Sequence, residues 1–210
     1  MNPASFTSAL LLLLLASGCY AHRYHDAVAD LSYQGDTRVA VATRDARPYI
    51  LNADKSPTFV GLQRGGYGNP FDVDTESGQP LAFDMTASIA ASLSRQGFQV
   101  VAVTAPPAGD EADFLAKLAE SGAERLLLLT LTQWKADAYQ NTALLYDVLL
   151  QVRGADQSVL AEKRLEGQDN LGGSFWNPVA HAREAVPIAF SRKLKELLDD
   201  PAVAAALRGP

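Results

Sequence analysis

The chain reads as a single α+β domain, a mixed sheet of about four to six strands with two or three helices packed on one face. Three observations predict it. Apolar residues recur every four positions through Leu81, Met85, Ile89 and Leu93, the period of a helix with one buried side. They alternate through Tyr146, Val148, Leu150 and Val152, the period of a half-buried strand. The order strand, helix, strand, helix, then about three strands and a last helix leaves the helices to cover a sheet.

Taken in turn, Tyr20 to Gly35 is polar and irregular and reads as a tether, so the domain is expected over residues 37–210, with 19–36 leading into it. Arg38 to Thr43 carries Val39 and Val41 in alternation, a first strand. Pro48 to Pro80 is dense in proline and glycine; Tyr49 to Leu51 and Thr58 to Leu62 are expected to pair as a small hairpin, with a long loop over about 63–79. Pro80 suits the first turn of the helix through Ile89, and Gly97 its end. Phe98 to Val103 is a second strand. After a break at Pro106 to Gly109, Asp110, Glu111 and Asp113 favour the positive end of a helix through Phe114, Leu115 and Leu118.

Leu126 to Trp134 is a continuous apolar run, the signature of a strand buried on both faces. Lys135 to Ala143 reads as a polar connection to the alternating strand at Tyr146. Arg153 to Asp156 is a turn into a partner strand ending near Leu165. Asn177 and Pro178 open a C-terminal helix that Pro187 should kink or split.

The N-terminus carries a different signal. Six leucines, Leu10 to Leu15, form an apolar block too short to span a bilayer, which needs ~20 apolar residues. It exits through Ala16, Ser17 and Gly18 onto Cys19, the one cysteine of the chain. Small residues let a peptidase reach the backbone, and the thiol can be acylated. The segment resembles the lipobox of bacterial lipoproteins, which implies a signal peptide over residues 1–18 and lipid attachment at Cys19. Leucine is more usual where Ala16 stands, and residues 1–8 lack the Lys or Arg of most export signals. With its cysteine acylated the domain has none for a disulfide and must stand on its core. Tyr20 rather than aspartate follows Cys19, which in enteric lipoproteins resembles release to the outer membrane, lipid-anchored on its periplasmic face.

The net charge of −6 argues against nucleic acid and against a polybasic membrane patch. Chemistry finds little support. Ser174 lacks the strand-to-helix elbow of a hydrolase nucleophile, although His181 stands on the helix that follows. His22 and His25 sit on the tether. Asp72, Asp74 and Glu76 alternate like a calcium loop, but Ser77 and Phe83 stand where such a loop needs Gly and Glu. Gly65, Gly66 and Gly68 do not feed a helix as a phosphate loop would. The expectation is therefore no catalytic residue, no metal and no cofactor.

Two stretches stand out as contact surface. Phe59, Arg64, Tyr67 and Phe71 lie among glycines between Thr58 and Gly78, and Phe175 and Trp176 follow Gly172 and Gly173. Aromatics and Arg dominate interfaces, and long loops in compact domains are often functional. These six are the partner-binding candidates, against the alternative that they fold back onto the core.

A lipobox, a first strand ending in Asp45-Ala46-Arg47, a helix leading into Gly97-Phe98-Gln99-Val100 and a late hairpin resemble the YajG-like group of small envelope lipoproteins. They are similar also to the broader set with a TolB N-terminal-like or transport-auxiliary-lipoprotein fold. The resemblance covers about Arg38 to Leu165, and the Gly/Pro-rich loop departs from it. It implies a non-catalytic accessory or assembly role in the cell envelope, with the membrane and an envelope protein as partners. The alternative is a periplasmic binder of a glycan such as peptidoglycan, using Trp134, Trp176 or Tyr67 as a platform.

Overall fold

The computed structural model describes residues 20–104 and 109–209; the signal segment, Cys19 and most of the break near Pro106 lie outside the described residues. Eight strands form one mixed sheet: β1 (Ala21–His22), β2 (Arg38–Asp45), β3 (Phe59–Arg64), β4 (Pro70–Thr75), β5 (Gln99–Ala102), β6 (Arg125–Ala138), β7 (Thr142–Gly154) and β8 (Val159–Asn170). Five helices accompany them: α1 (Pro48–Leu51), α2 (Leu81–Arg95), α3 (Glu111–Glu120), α4 (Pro178–Leu198) and α5 (Pro201–Arg208). The expectation of four to six strands is corrected upward to eight.

The sheet is forked about β6. Along one edge β6 pairs with β7 over its whole length, antiparallel, and β7 in turn with β8. Along the other edge its first half, Arg125 to Leu131, pairs in parallel with β2, and its last residues, Ala136 to Ala138, with β3. β5 extends the β2 branch; β4 and then β1 extend the β3 branch. Gly61 of β3 is required by close approach, because a Cβ there would fall 2.4 Å from the Ala136 carbonyl oxygen.

The fork leaves carbonyls without a strand partner, and Arg47 meets them. Its Nη1 donates to the Phe59 carbonyl at 2.7 Å and to the Trp134 carbonyl at 3.2 Å. Nε and Nη2 grip both carboxylate oxygens of Asp45 at 2.8 and 2.7 Å. Both side chains are fully buried. Burial works against charge on Arg47, and the two-point contact with Asp45 outweighs it, raising its pKa further.

Helices cover both faces, which corrects the one-face expectation. The physical reason lies in chain order. β5 lies to one side of β2 and β6 to the other. Two right-handed crossovers in opposite directions must place α2 and α3 on opposite faces. The cores agree. Val39, Val41, Leu127 and Leu129 pack with Leu81, Met85, Ile89 and Leu93 of α2 and with α4 and α5. Ala40, Ala42, Leu126 and Leu128 pack with Phe114, Leu115 and Leu118 of α3. Successive strand residues thus face two different cores, and the β6 apolar run is buried on both sides.

Other expectations are corrected locally. The tether is laid against the domain: Tyr24, Ala29 and Leu31 are buried, and Ala21–His22 is a strand. Tyr49 to Leu51 lies in α1, with Pro48 in its first turn, and β3 takes β4 as its hairpin partner, so the long loop expected over about 63–79 is corrected to a short turn between two paired strands. Lys135 to Ala138 continues β6, since Ala136 and Ala138 bury the alternate face between Lys135 and Asp137. α4 runs unsplit through Pro187. α5 begins where Asp200 caps it, accepting from the amides of Ala202 and Val203.

Candidate functional site

Three connections emerge at the same end of the sheet. β3 and β6 run parallel there, with Gln63 beside Ala138, so the β3–β4 turn and the β6–β7 turn are neighbours. The β8–α4 connection joins them, because Asn170 pairs with Ala143 at the start of β7. The Thr142 amide donates to the Gly172 carbonyl at 2.7 Å and the Leu171 amide to the Thr142 carbonyl at 2.8 Å. At Gly173 the backbones touch: a Cβ would lie 1.9 Å from the Gln140 carbonyl oxygen. The β3–β4 turn is closed by the Gly65 amide donating to the Asn69 carbonyl and the Gly68 amide to the Gly65 carbonyl; Gly68 adopts a φ of 81° that favours glycine.

Aromatic rings crown this end. Tyr67 is 100% exposed, Phe175 and Trp176 are each 91% exposed, and Tyr139 stands 42% exposed with its hydroxyl 3.5 Å from the Gly66 carbonyl. Phe175 and Trp176 meet edge to face at 5.4 Å. A cleft of about 570 Å³ opens between the connections, lined by Gly66, Tyr139, Gln140, Asn141, Ser174 and Phe175 among others. The two stretches singled out in the sequence, more than 90 residues apart, converge here.

Not all six sequence candidates belong to the exposed end. Tyr67, Phe175 and Trp176 do. Phe71 is 48% exposed and packs on Tyr20 with ring centroids 6.1 Å apart, at the margin. Arg64 is committed to Asp137 by two contacts of 2.8 and 2.7 Å. Phe59 is corrected: it is 3% exposed, edge-on to Tyr49 and beneath the Lys55 ammonium, because α1 and the residues that follow it cover the ring. Trp134, named as a glycan platform, is also buried, and its indole donates to the Tyr24 hydroxyl at 3.2 Å. Tyr139 stands in the short turn between β6 and β7, and what brings it to the site is the pairing of β3 with β6, which no local pattern in the sequence displays.

The end offers contact area and hydrogen-bonding groups. Ser174 Oγ accepts from the Asn177 amide at 3.2 Å, and His181 Nε2 faces the Leu171 carbonyl at 3.1 Å, so each has a partner other than the other. Asp72 is held by Lys55 and Asp74 accepts from Thr58, so these carboxylates face partners of their own. Among the described residues no group of three His, Cys, Asp or Glu is placed to hold a metal ion. His22 is not on a tether but buried in β1. Burial, and then the charge of Arg183, lower its pKa to about 4.

No family model and no curated protein matches the chain. Its fold does have solved counterparts. The crystal structure of protein XCC0632 from Xanthomonas campestris, a DUF330 protein, superposes with a TM-score of 0.56 at 14% identity, covering 87% of this chain and 95% of that one. More distant are lipoprotein GNA1162 from Neisseria meningitidis (0.36, 15%, 75% and 99%) and uncharacterized lipoprotein B from Nitrosomonas europaea (0.39, 12%, 85% and 91%). The first likeness shows a shared fold; nothing in the comparisons singles out the YajG-like group.

Proposed function

We propose that this chain is a lipid-anchored protein of the bacterial outer membrane, facing the periplasm, that acts without catalysis as an accessory or assembly factor. It holds a partner protein at the membrane surface. The observation that carries this reading is exposed apolar surface in two places, aromatics from three connections gathered on one end and Val159 and Leu160 on the edge strand β8, with contact area in place of a proton-transfer pair. Rings of this kind supply binding energy at little entropic cost. The sequence up to Cys19 supplies the anchor, and among the described residues no helix is long and apolar enough to cross a membrane.

Photo-crosslinking amino acids at positions 67, 139 and 176, and at Leu160 on the exposed edge strand β8, test it in living cells. A recurrent adduct with one envelope protein from at least one position is expected. Four positions without a recurrent protein adduct would remove the accessory role.

A second reading draws on the cleft itself. Tyr139 and Phe175 flank Gln140, Asn141 and Ser174, aromatic faces beside amides and a hydroxyl, a combination suited to sugar rings. Retention of cell-wall fragments that is lost in Asn141→Ala would favour it. Equal retention by the variant would count against it.

A further inference from the structure

The chain enters the domain from the side on which the aromatic end lies. β1 runs parallel to β4, with Ala21 beside Asp74 and His22 beside Thr75. The backbone therefore enters β1 from the Pro70 side, where the β3–β4 turn lies. The Tyr20 carbonyl accepts from the Asp74 amide at 3.0 Å, and its ring lies against Phe71. Tyr67 is about six strand positions from this point, roughly 20 Å at the rise of a β-strand. Cys19 directly precedes Tyr20 in the sequence.

We propose that this end rests on the lipid bilayer, with Tyr67, Tyr139, Phe175 and Trp176 at headgroup level beside the acylated N-terminus. The inference rests on the lipid-anchor reading and gives the membrane as the occupant of the aromatic surface, leaving β8 and the far faces to proteins. Tyr and Trp are the residues that collect at membrane interfaces, where an apolar ring meets hydrocarbon and its polar edge meets water. Of the nine large apolar side chains exposed among the described residues, five are the four named here and Phe71. The other four, Leu51, Val159, Leu160 and Ile188, are spread over α1, β8 and α4.

Charge argues for insertion of rings and against an electrostatic patch. No Lys or Arg lines the cleft. Arg64 on the adjoining hairpin and Lys55 in the connection ahead of it are paired with Asp137 and Asp72, each at 2.7 Å. With a net charge of −6 the protein gains nothing from anionic lipid. The contact is therefore expected on zwitterionic bilayers and to persist in high salt, which screens only charge.

The two tryptophans make this measurable. Trp134 is fully buried, so Trp176 alone can meet lipid. The full chain, purified from bacterial membranes, is reconstituted in phosphatidylcholine vesicles brominated on the acyl chain near the headgroup. Mass spectrometry of the same sample reads acylation. The expected result is an acylated protein whose Trp176 emission is shifted to the blue and quenched by the bromolipid, in 1 M salt as in dilute buffer. Trp176→Phe should abolish that quenching. Acylated protein with unquenched Trp176 that stays open to acrylamide would overturn the proposal and leave the anchor standing. Protein without acyl groups would overturn both. A protein adduct in place of a lipid adduct from position 176 in cells would assign this surface to a protein and overturn the proposal.

Discussion

Removing one partner of a buried ion pair leaves the other charge with neither water nor counter-ion. At the sheet fork Asp45→Asn should therefore cost about 3–5 kcal/mol, read as a lowered urea midpoint. A double replacement by apolar residues removes both charges, yet it also strips the Phe59 and Trp134 carbonyls of their shared donor. Only partial recovery is expected; full recovery would show that the carbonyls do not need Arg47. His22 gives a second residue-scale test. Its folded pKa of about 4 lies below the 6.5 of an unperturbed imidazole, so between those values the unfolded chain binds more protons. Stability from this group is whole above about pH 6.5 and is lost as pH falls toward 4. The window spans roughly 3 kcal/mol. His22→Gln should flatten the acid limb of the stability curve, and an unchanged limb would assign it to other groups.

At the scale of elements, α2 depends on one stripe. Ile89 is fully buried among Leu81, Met85 and Leu93, and Ile89→Asp buries a carboxylate without a partner. The cost of several kcal/mol is enough to unfold a domain of ordinary stability, and an unchanged melting curve would sink the packing described for α2. The site depends on a different contact. Gly173 lies against the β6–β7 turn, and a methyl group cannot share the space of the Gln140 carbonyl. Gly173→Ala should displace the β8–α4 connection and take Phe175 and Trp176 with it, while leaving the cores intact. The measurement is limited proteolysis within 171–177 beside the melting temperature: new cleavage with little change in melting is expected. Resistance equal to the parent would mean that the connection is held elsewhere.

For the whole molecule, the anchor and the aromatic end can be separated. Cys19→Ser should block lipidation and leave uncleaved precursor; normal processing of that variant would remove the anchor. Tyr67→Ser with Trp176→Ser touches only exposed rings, so the stability change should stay within about 0.5 kcal/mol per site while membrane contact falls. A large loss of stability would mean that these rings support the core. Much of this molecule was legible in one dimension: the period of Leu81 to Leu93, the alternation from Tyr146 to Val152 and the buried run of β6 are local patterns with one structural solution. So was the exposure of Tyr67, Phe175 and Trp176. What alternates or repeats in a short window is read from that window, because side-chain direction follows backbone period. Strand neighbours are not encoded that way. That β6 serves β2 and β3 on one edge, that Phe59 turns inward while Tyr67 turns out, that His22 is buried and that Tyr139 joins Trp176 were decided by pairings between residues up to 86 positions apart. Such pairings follow from the crossover sense and from which carbonyls remain to be satisfied once the first strands are placed, and these conditions exist only in the assembled sheet.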